Sequence, residues 1–224
     1  MATRKKTYEE IFKVFQSPVT AYDCGKECSA TCDTGPVCCS TGNAIPIAQK
    51  PEWQLLKSLT DLWRPFRAPD EASQAVVDDL ADNCVAIECK GAQHCEREYR
   101  SLSCRAFPFF PYITREREFI GMSHYWSFEG SCWLIGNTDL VEQPFVDEFI
   151  EAYKILFRDD PEEFEVFHAY SATMRRVFSR RGEAIPLIAL DGTHQRILPH
   201  GGATVSAEDY RKTGKRKAKT RKRA

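Results

Sequence analysis

The chemically capable residues of this 224-residue chain are its ten cysteines, which all lie between positions 24 and 132. They form two groups and one outlier, Cys24-x3-Cys28-x3-Cys32-x5-Cys38-Cys39, Cys84-x4-Cys89-x5-Cys95-x8-Cys104 and Cys132. Soft metals need several thiolates that converge at about 2.3 Å from zinc, and iron–sulfur clusters need the same convergence around a larger core. Clustered cysteines on glycine-containing loops can supply such ligands, so the pattern predicts metal binding, with enough cysteines for two four-ligand sites.

Two other interpretations of the cysteines remain open at this point. Buried cysteines often act as small hydrophobic side chains, and we expect this of about one to three of the ten. A disulfide network is the other interpretation, but disulfides are rare in reducing compartments. The chain begins with a basic segment, Arg4–Lys6, and two acids follow at Glu9 and Glu10 without an apolar stretch. We therefore expect no secretory signal and a cytoplasmic location.

Adjacent Cys38 and Cys39 carry a more specific expectation. Neighbouring side chains diverge in an extended backbone. The two thiols should then serve two different ligation positions, or one should ligate while the other packs. Four thiolates on Zn²⁺ leave a charge of about −2, by simple addition. Basic residues beside the cysteines can offset that charge, namely Lys26, Arg97, Arg100 and Arg105.

At these residues the sequence resembles the YkgJ-type family of cysteine-cluster proteins, described as zinc- or iron-chelating. The resemblance covers roughly residues 20–136, and Cys104-Arg105-Ala106-Phe107-Pro108-Phe109 is its most specific part. The family's Cys-Cys pair and its Cys-apolar run correspond to Cys38-Cys39 and Cys84-Val85-Ala86-Ile87. This chain departs from the pattern at Ser101, where the family usually has proline, and Cys24 and Cys89 are additional.

The resemblance implies metal chelation by zinc or iron, with a [4Fe–4S] cluster as one form of the iron site. The ligands that it implies are Cys28, Cys32, Cys38, Cys39, Cys84, Cys95, Cys104 and Cys132. Flagellin lysine methylases carry a related cysteine cluster, so an iron–sulfur-dependent modification enzyme is an alternative function. No P-loop, dinucleotide glycine pattern, nucleophile elbow or His-Glu-x-x-His motif supports another enzyme class.

A third hypothesis, a nucleic-acid- or ribosome-associated module, rests on charge. Nine lysines and arginines and no acid lie between Arg211 and Ala224, whereas residues 1–210 hold 32 acids against 22 basic residues. Residues Arg211–Arg223 would then contact nucleic acid weakly, while a solvated tail that aids solubility is the alternative. Arg175, Arg176, Arg180 and Arg181 suit a helix C-terminus and, with the tail, would extend a phosphate-binding surface.

The remaining candidates are histidines and aromatic residues. His94 beside Cys95 is either a metal ligand or an exposed loop residue. The other histidines favour packing or surface roles, at His124, His168, His194 and His200. An aromatic group beside Cys104 is expected to shield the metal site as a hydrophobic wall, and it comprises Phe107, Phe109, Phe110 and Tyr112.

The helices and strands that position these residues are predicted from the periodicity of apolar residues and from the prolines and glycines that end regular elements. We predict helices over 7–16 (with a Thr7–Glu10 capping box), 51–63, 71–80 and 161–181, and an amphipathic helix that begins at Pro144 and includes Leu156. We predict strands over 44–48, 118–128 and 132–135, a hairpin of 185–190 with 195–198, and an irregular 107–111. No apolar run is long enough to cross a membrane.

Together these elements predict an α+β fold. A loop-rich cysteine and metal core with short strands is packed by several helices, and a C-terminal helix pair and β-hairpin complete it. We expect one domain over residues 1–205, with the metal core at about 20–136 and the helical C-terminal part at 144–200. Residues 206–224 should form a disordered basic tail.

Overall fold

The computed structural model describes residues 4–31, 35–199 and 201–212 and has an α+β fold with two antiparallel sheets. Where one domain was predicted, the chain divides into two compact units. The first unit comprises Met1–Pro108 and Ser127–Pro161, and the second comprises Phe109–Trp126 and Glu162–Ala224. All ten cysteines fall in the sequence of the first unit.

Helices and strands alternate irregularly along the chain. The α-helices are α1 (Lys5–Val14), α2 (Cys24–Thr31), α3 (Lys50–Leu59), α4 (Glu71–Asp78), α5 (Leu102–Ala106), α6 (Gln143–Asp159) and α7 (Pro161–Arg181). The strands are β1 (Ile47–Gln49), β2 (Trp63–Pro65), β3 (Cys84–Cys89), β4 (Phe109–Ile113), β5 (Phe119–His124), β6 (Ile185–Ala189), β7 (His194–Ile197) and β8 (Thr204–Ser206). Short 3-10 helices lie at Val37–Cys39, Ala92–His94, Arg97–Tyr99, Trp126–Phe128 and Trp133–Leu140.

The helical core of the first unit is aromatic. α1 packs against α3 and α6, and Phe15 lies with its ring centre 5.3 Å from that of Phe145 and 6.0 Å from that of Phe149. Aromatic pairs at these distances stabilise a core beyond the area that they bury. The predicted capping box of α1 is wrong, because Thr7 Oγ1 instead donates to Asp159 Oδ2 at 2.7 Å. Thr7 thus ties α1 to the end of α6.

The sheet of the first unit carries two of the cysteines. Its strand order is β1-β3-β2, with β3 paired antiparallel on both sides. Cys84 lies opposite Gln49 at one end of β3, and Cys89 lies opposite Trp63 at the other. Trp63 was predicted at the end of a helix, but α3 ends at Leu59 and Trp63 begins β2.

Two other local predictions are wrong for physical reasons. Residues 109–113 form β4 although Pro111 lies within it, because β4 is an edge strand, where a missing N–H is tolerated. Residues 133–140 form a 3-10 helix rather than the predicted strand. Its first residues, Trp133-Leu134-Ile135, are apolar enough for either structure, and short apolar runs are ambiguous by periodicity alone.

The second unit combines α7 with a five-stranded antiparallel sheet of order β4-β5-β6-β7-β8. The predicted hairpin is present as β6 and β7, with Thr193 N donating to Asp191 Oδ1 at 2.9 Å in its turn. The core joins the sheet to α7 and consists of Phe110, Tyr112, Met174, Phe178, Ile185, Leu187 and Ile197. Regular structure continues beyond the predicted start of the tail, because 204–206 form β8 and 207–212 are helical. Residues 213–224 lie outside the described residues.

Across the described ranges, no helix combines the length and the apolar character that a membrane span requires.

Gly121 in β5 provides a stability test of the second unit. Its φ is +148°, and an added Cβ would collide with the carbonyl oxygen of Ile188 and lie 2.8 Å from Cα of Ala189. We expect Gly121→Ala to lower the free energy of unfolding by about 2–4 kcal/mol, because backbone atoms must move. Chemical denaturation monitored by circular dichroism measures this effect.

Gly182→Ala is the matched control, because Gly182 has φ +68° but no atom within 4 Å of an added Cβ. It should cost only about 1 kcal/mol. Equal effects of the two substitutions would show that the close approach of β5 to β6 does not limit residue 121.

Candidate metal centre

Short segments of the first unit carry the described cysteines. α2 bears Cys24 and Cys28, a 3-10 turn bears Cys38 and Cys39, and α5 bears Cys104. Cys89 ends β3, Cys95 follows the 3-10 turn Ala92–His94, and Cys132 precedes the 3-10 helix Trp133–Leu140. Since these segments are short, tertiary contacts rather than one regular element must bring the sulfurs together.

Arg100 lies at the centre of the cysteine arrangement. Its Nε donates a hydrogen bond to Sγ of Cys95 at 3.0 Å. Burial disfavours the charge of Arg100, but Cys104 and Cys95 outweigh that effect, so the pKa of Arg100 is raised above its ordinary value. The guanidinium interacts electrostatically with five thiols, those of Cys24, Cys38, Cys39, Cys95 and Cys104. We call these five and Cys89 the Arg100 cluster.

The segment that bears Arg100 is held by its neighbours. Arg105 Nε donates to the carbonyl oxygen of Arg100 at 2.9 Å, and the other nitrogens of Arg105 bind the carbonyls of Phe15 and Glu98. Trp63 Nε1 donates to the carbonyl oxygen of Tyr99 at 2.7 Å. Because burial dominates, the pKa of Arg105 is lowered to about 10. Arg105 therefore stabilises the backbone conformation of the segment that bears Arg100.

The sulfurs of Cys38 and Cys39 are hydrogen-bonded to each other, with Sγ atoms 3.8 Å apart. The expectation that their side chains diverge is wrong, because the backbone is a 3-10 turn and not extended. A hydrogen bond from Cys38 lowers the pKa of Cys39 to about 7, although burial opposes this, and the charge of Arg100 assists it. The same bond and burial raise the pKa of Cys38. The pair thus gives up one proton easily and the second with difficulty.

Other cluster thiols are strongly desolvated. Burial raises the pKa of Cys104 to about 12, with Arg100 opposing the shift and Cys39 adding to it. Burial also raises the pKa of Cys89, while the N–H of Gly91 donates to its sulfur at 3.4 Å. Hydrogen bonds from backbone N–H groups to sulfur stabilise thiolates and tune metal–thiolate centres. Gly91 has φ +96°, a conformation that favours glycine.

A second set of thiols lies where α2 contacts the 3-10 helix Trp133–Leu140. Cys28 and Cys132 are both buried, at 4% and 6% exposure. Burial raises the pKa of Cys132 to about 12, and the nearby Cys28 adds to the shift. Cys24 connects this set to the Arg100 cluster, because it interacts electrostatically with both Cys28 and Arg100.

The implied ligands differ in where the structure places them. Cys32 lies outside the described residues. Cys84 lies five residues before Cys89 on β3, which corresponds to about 16 Å and to opposite faces of the strand. Two thiolates on one zinc lie within about 4.6 Å of each other, so Cys84 and Cys89 cannot share an ion. Cys84 Sγ donates to Asn83 Oδ1 at 3.5 Å.

The sulfurs do not yet converge on one point. Within residues 4–31, 35–199 and 201–212, no three cysteine, histidine or acidic side chains are arranged to hold a metal ion together. The donor type fits zinc or iron, and the Cys38–Cys39 separation matches the edge of about 3.8 Å expected for a zinc tetrahedron with 2.3 Å bonds. The arrangement is therefore a group of neighbouring thiols in which Cys38 and Cys39 have the spacing of two ligands of one zinc ion.

Other candidates lie away from this neighbourhood or on its surface. His94 has an exposed side chain in the turn before Cys95, and His124 is buried at the end of β5. His168 and His194 belong to the second unit, and His200 lies outside the described residues. The expected aromatic wall is wrong in part, because Phe110 and Tyr112 belong to the core of the second unit. Phe107 packs on Phe128 at 5.0 Å between ring centres.

Cys24 and Cys89, which are additions to the family pattern, both lie among the other described thiols, because Cys24 interacts electrostatically with Cys28 and Cys89 with Cys39 and Cys95. The sequence feature that could have drawn attention to Cys89 is Gly91, two residues later. The N–H of Gly91 donates to the sulfur from a backbone with positive φ, a conformation that favours glycine. Comparison with protein-family models, with curated proteins and with solved structures finds no match to this chain.

The Cys38–Cys39 pair predicts a pH-dependent reactivity in metal-free, reduced protein. Since the pKa of Cys39 is about 7, about half of it is thiolate at pH 7 and about a tenth at pH 6. The rate of its alkylation by iodoacetamide, followed by peptide mass spectrometry, should rise with a midpoint near pH 7. Cys38→Ala should move that midpoint upward, because burial then acts without the hydrogen bond. An unchanged midpoint would contradict the pairing.

Proposed function

We propose that this chain is a metal-binding protein that holds zinc or iron through the thiolates of the Arg100 cluster. The observation that carries the proposal is the gathering of cysteines from separate segments around one partly buried guanidinium. The Cys38–Cys39 pair supplies two adjacent donors. Cys104 and Cys24 interact electrostatically with Cys38, and Cys89 interacts with Cys39, so these thiols are candidates to complete the ligation. Metal binding must draw these sulfurs closer than they lie here.

The charges of the neighbourhood support this function. Several thiolates around a divalent ion leave net negative charge, which is costly to bury without compensation. Arg100 supplies a permanent positive charge within hydrogen-bond distance of Cys95, and Arg97 interacts electrostatically with Cys24 and Cys95. Positive partners of this kind orient ligands and stabilise a metal–thiolate centre. Reduced thiols also fit the cytoplasmic location expected from the sequence.

Proton competition follows from the same desolvation. Burial raises the pKa of Cys104 to about 12, so this thiol carries its proton at neutral pH in the metal-free chain. Each such thiol that becomes a ligand must release its proton to solvent. Metal affinity should therefore increase as the pH rises, and binding should be accompanied by proton release.

Elemental analysis and a visible spectrum of protein purified without oxygen are the direct test of the function. Zinc with a colourless spectrum supports a zinc–thiolate centre. Iron with acid-labile sulfide and a brown absorption band supports an iron–sulfur centre and directs the search toward redox or modification chemistry. Protein that contains neither metal, and that takes up neither on anaerobic addition, would refute the proposal.

The ligand set is tested by two cysteines of one strand. We expect Cys89→Ser to reduce bound metal to half or less, because Cys89 belongs to the Arg100 cluster. Cys84→Ser should retain the full content, because Cys84 lies at the far end of β3. Metal per chain is measured by mass spectrometry, with circular dichroism to establish that both variants fold. Loss of metal in Cys84→Ser alone would favour the ligands implied by the family resemblance.

Arg100 provides a test that leaves every thiol in place. Arg100→Gln removes the charge shared by the cluster, and we expect metal affinity to fall by about 10- to 100-fold. Chelator competition measures the affinity. Arg64→Gln is the control, because Arg64 is an exposed residue that pairs with Glu88 at 2.7 Å. Equal affinities of Arg100→Gln and the unmodified chain would show that the guanidinium does not support the metal.

A further inference from the structure

An arginine-rich cavity lies in the second unit, apart from any cysteine of the described chain. Its volume is about 540 Å³, within the range of small-molecule sites. It is lined by Arg115, His168, Arg175, Arg176, Ser179 and Arg180, together with Ala172. All but Arg115 lie on α7 at spacings of three and four residues, which place them along one side of the helix.

The arginines of the chain differ in their partners. Arg64, Arg117 and Arg158 pair with acidic side chains, whereas Arg100 and Arg105 bind sulfur and carbonyl groups instead. In the part of the chain that the structure describes, no ion pair includes the cavity arginines. Arg175 is instead held by the carbonyl oxygen of Ile113 at 2.6 Å, and Arg176 by Thr173 Oγ1 at 2.8 Å. Arg115, Arg176 and Arg180 are exposed, so water and salt screen part of the repulsion among these charges, and a multivalent anion would neutralise the rest.

The helix dipole does not account for this group. A helix C-terminus stabilises cations only within its last turn. Arg180 and Arg181 lie in the last turn of α7, but Arg175 and Arg176 lie further back. Arg115 is not on the helix at all, since it belongs to the turn between β4 and β5. The convergence of a loop arginine with three helix arginines therefore calls for a ligand.

A second, smaller cavity adjoins the first, because both are lined by Arg115 and Arg175. Its volume is about 120 Å³, and its lining is mixed, with Ile120, Phe178 and Ile197 on apolar parts and Thr114 and Glu116 among the polar side chains. The apolar part of such a cavity beside guanidinium groups suits a ligand that has an uncharged ring at one end and several negative charges at the other. Arginine forks bind phosphate oxygens in pairs.

We propose that the second unit binds a nucleoside polyphosphate, with the phosphates among the four arginines and the ring against the apolar residues of the smaller cavity. A compact ligand is favoured over a polynucleotide because residues 1–210 carry 32 acids against 22 basic residues. A surface with that balance repels a long polyanion, whereas the cavity acts only at short range. The site is independent of the proposed metal centre.

Isothermal titration calorimetry of the full chain with ATP and GTP tests the site. We expect saturable binding of at least one of them, and we expect Arg176→Gln/Arg180→Gln to weaken it about tenfold or more, through lost charge-assisted hydrogen bonds. Both substituted residues are exposed, so folding should be unaffected. Arg181→Gln is the matched control on the same helix, since Arg181 does not line the cavity. It should change the affinity less than about twofold.

Three further outcomes would overturn the proposal. The first is unchanged binding in Arg176→Gln/Arg180→Gln, which would place the anion elsewhere, for example on the basic residues 211–223. The second is binding of tripolyphosphate as tight as that of ATP and GTP, which would exclude a role of the smaller cavity. The third is preference for a single-stranded RNA 12-mer, with neither nucleotide binding, which would assign the surface to nucleic acid.

Discussion

The first unit depends on the burial of one positive charge among sulfurs. Transfer of a guanidinium from water is unfavourable unless anions or acceptors replace the water. Arg100 is partly buried, and desolvation alone would lower its pKa, yet Cys104 and Cys95 shift it upward. The hydrogen bond from Arg100 to Cys95 replaces part of the lost water, and the charge of Arg100 favours the thiolate form of Cys39. A thiol that keeps its proton, as Cys104 does at neutral pH, supplies no counter-charge, so negative charge develops around Arg100 only as thiols ionise.

Arg105, five residues after Arg100, is also a positive charge that burial disfavours, but its partners are different. It is buried, at 9% exposure, and its guanidinium binds three backbone carbonyl groups and lies 4.6 Å from the ring centre of Phe12. Carbonyl oxygens satisfy its N–H groups without supplying full negative charge, which is why its pKa falls. The two arginines thus have different roles. Arg100 binds a sulfur, and Arg105 holds the backbone of Arg100 in place.

The sequence predicted the regular elements better than the site. The start of helix α6 and both ends of α7 were predicted almost to the residue, because Pro144, Pro161 and Gly182 mark them and the apolar periodicity is long. The hairpin at Asp191-Gly192 was equally clear. The strand at Phe109–Ile113 was not predicted because Pro111 argues against a regular strand. An edge strand tolerates proline, but whether a strand lies at the edge depends on the whole sheet and cannot be read from the segment. The two units are likewise not marked by local patterns, since each is assembled from distant parts of the chain.

Cysteine spacing predicts metal chemistry but does not choose among the thiols. The family resemblance includes Cys84 and treats Cys89 as additional, and the rise of the strand between them places the two far apart. Cys38 and Cys39 were expected to point apart, and a single 3-10 turn brings their sulfurs to 3.8 Å. Ligand choice therefore depends on backbone geometry over two to five residues, a scale at which residue type gives little information.

The arginines of the two units differ in the groups that surround them. In the first unit, Arg100 is enclosed by groups that can become anionic, so the chain supplies its own counter-charge. In the second, Arg115, Arg175, Arg176 and Arg180 share a cavity whose lining includes no carboxylate. Their mutual repulsion remains uncompensated by the lining, and water alone screens it. An internally neutralised arginine indicates a structural or metal-supporting role, whereas a group without counter-charge indicates a ligand that comes from solution.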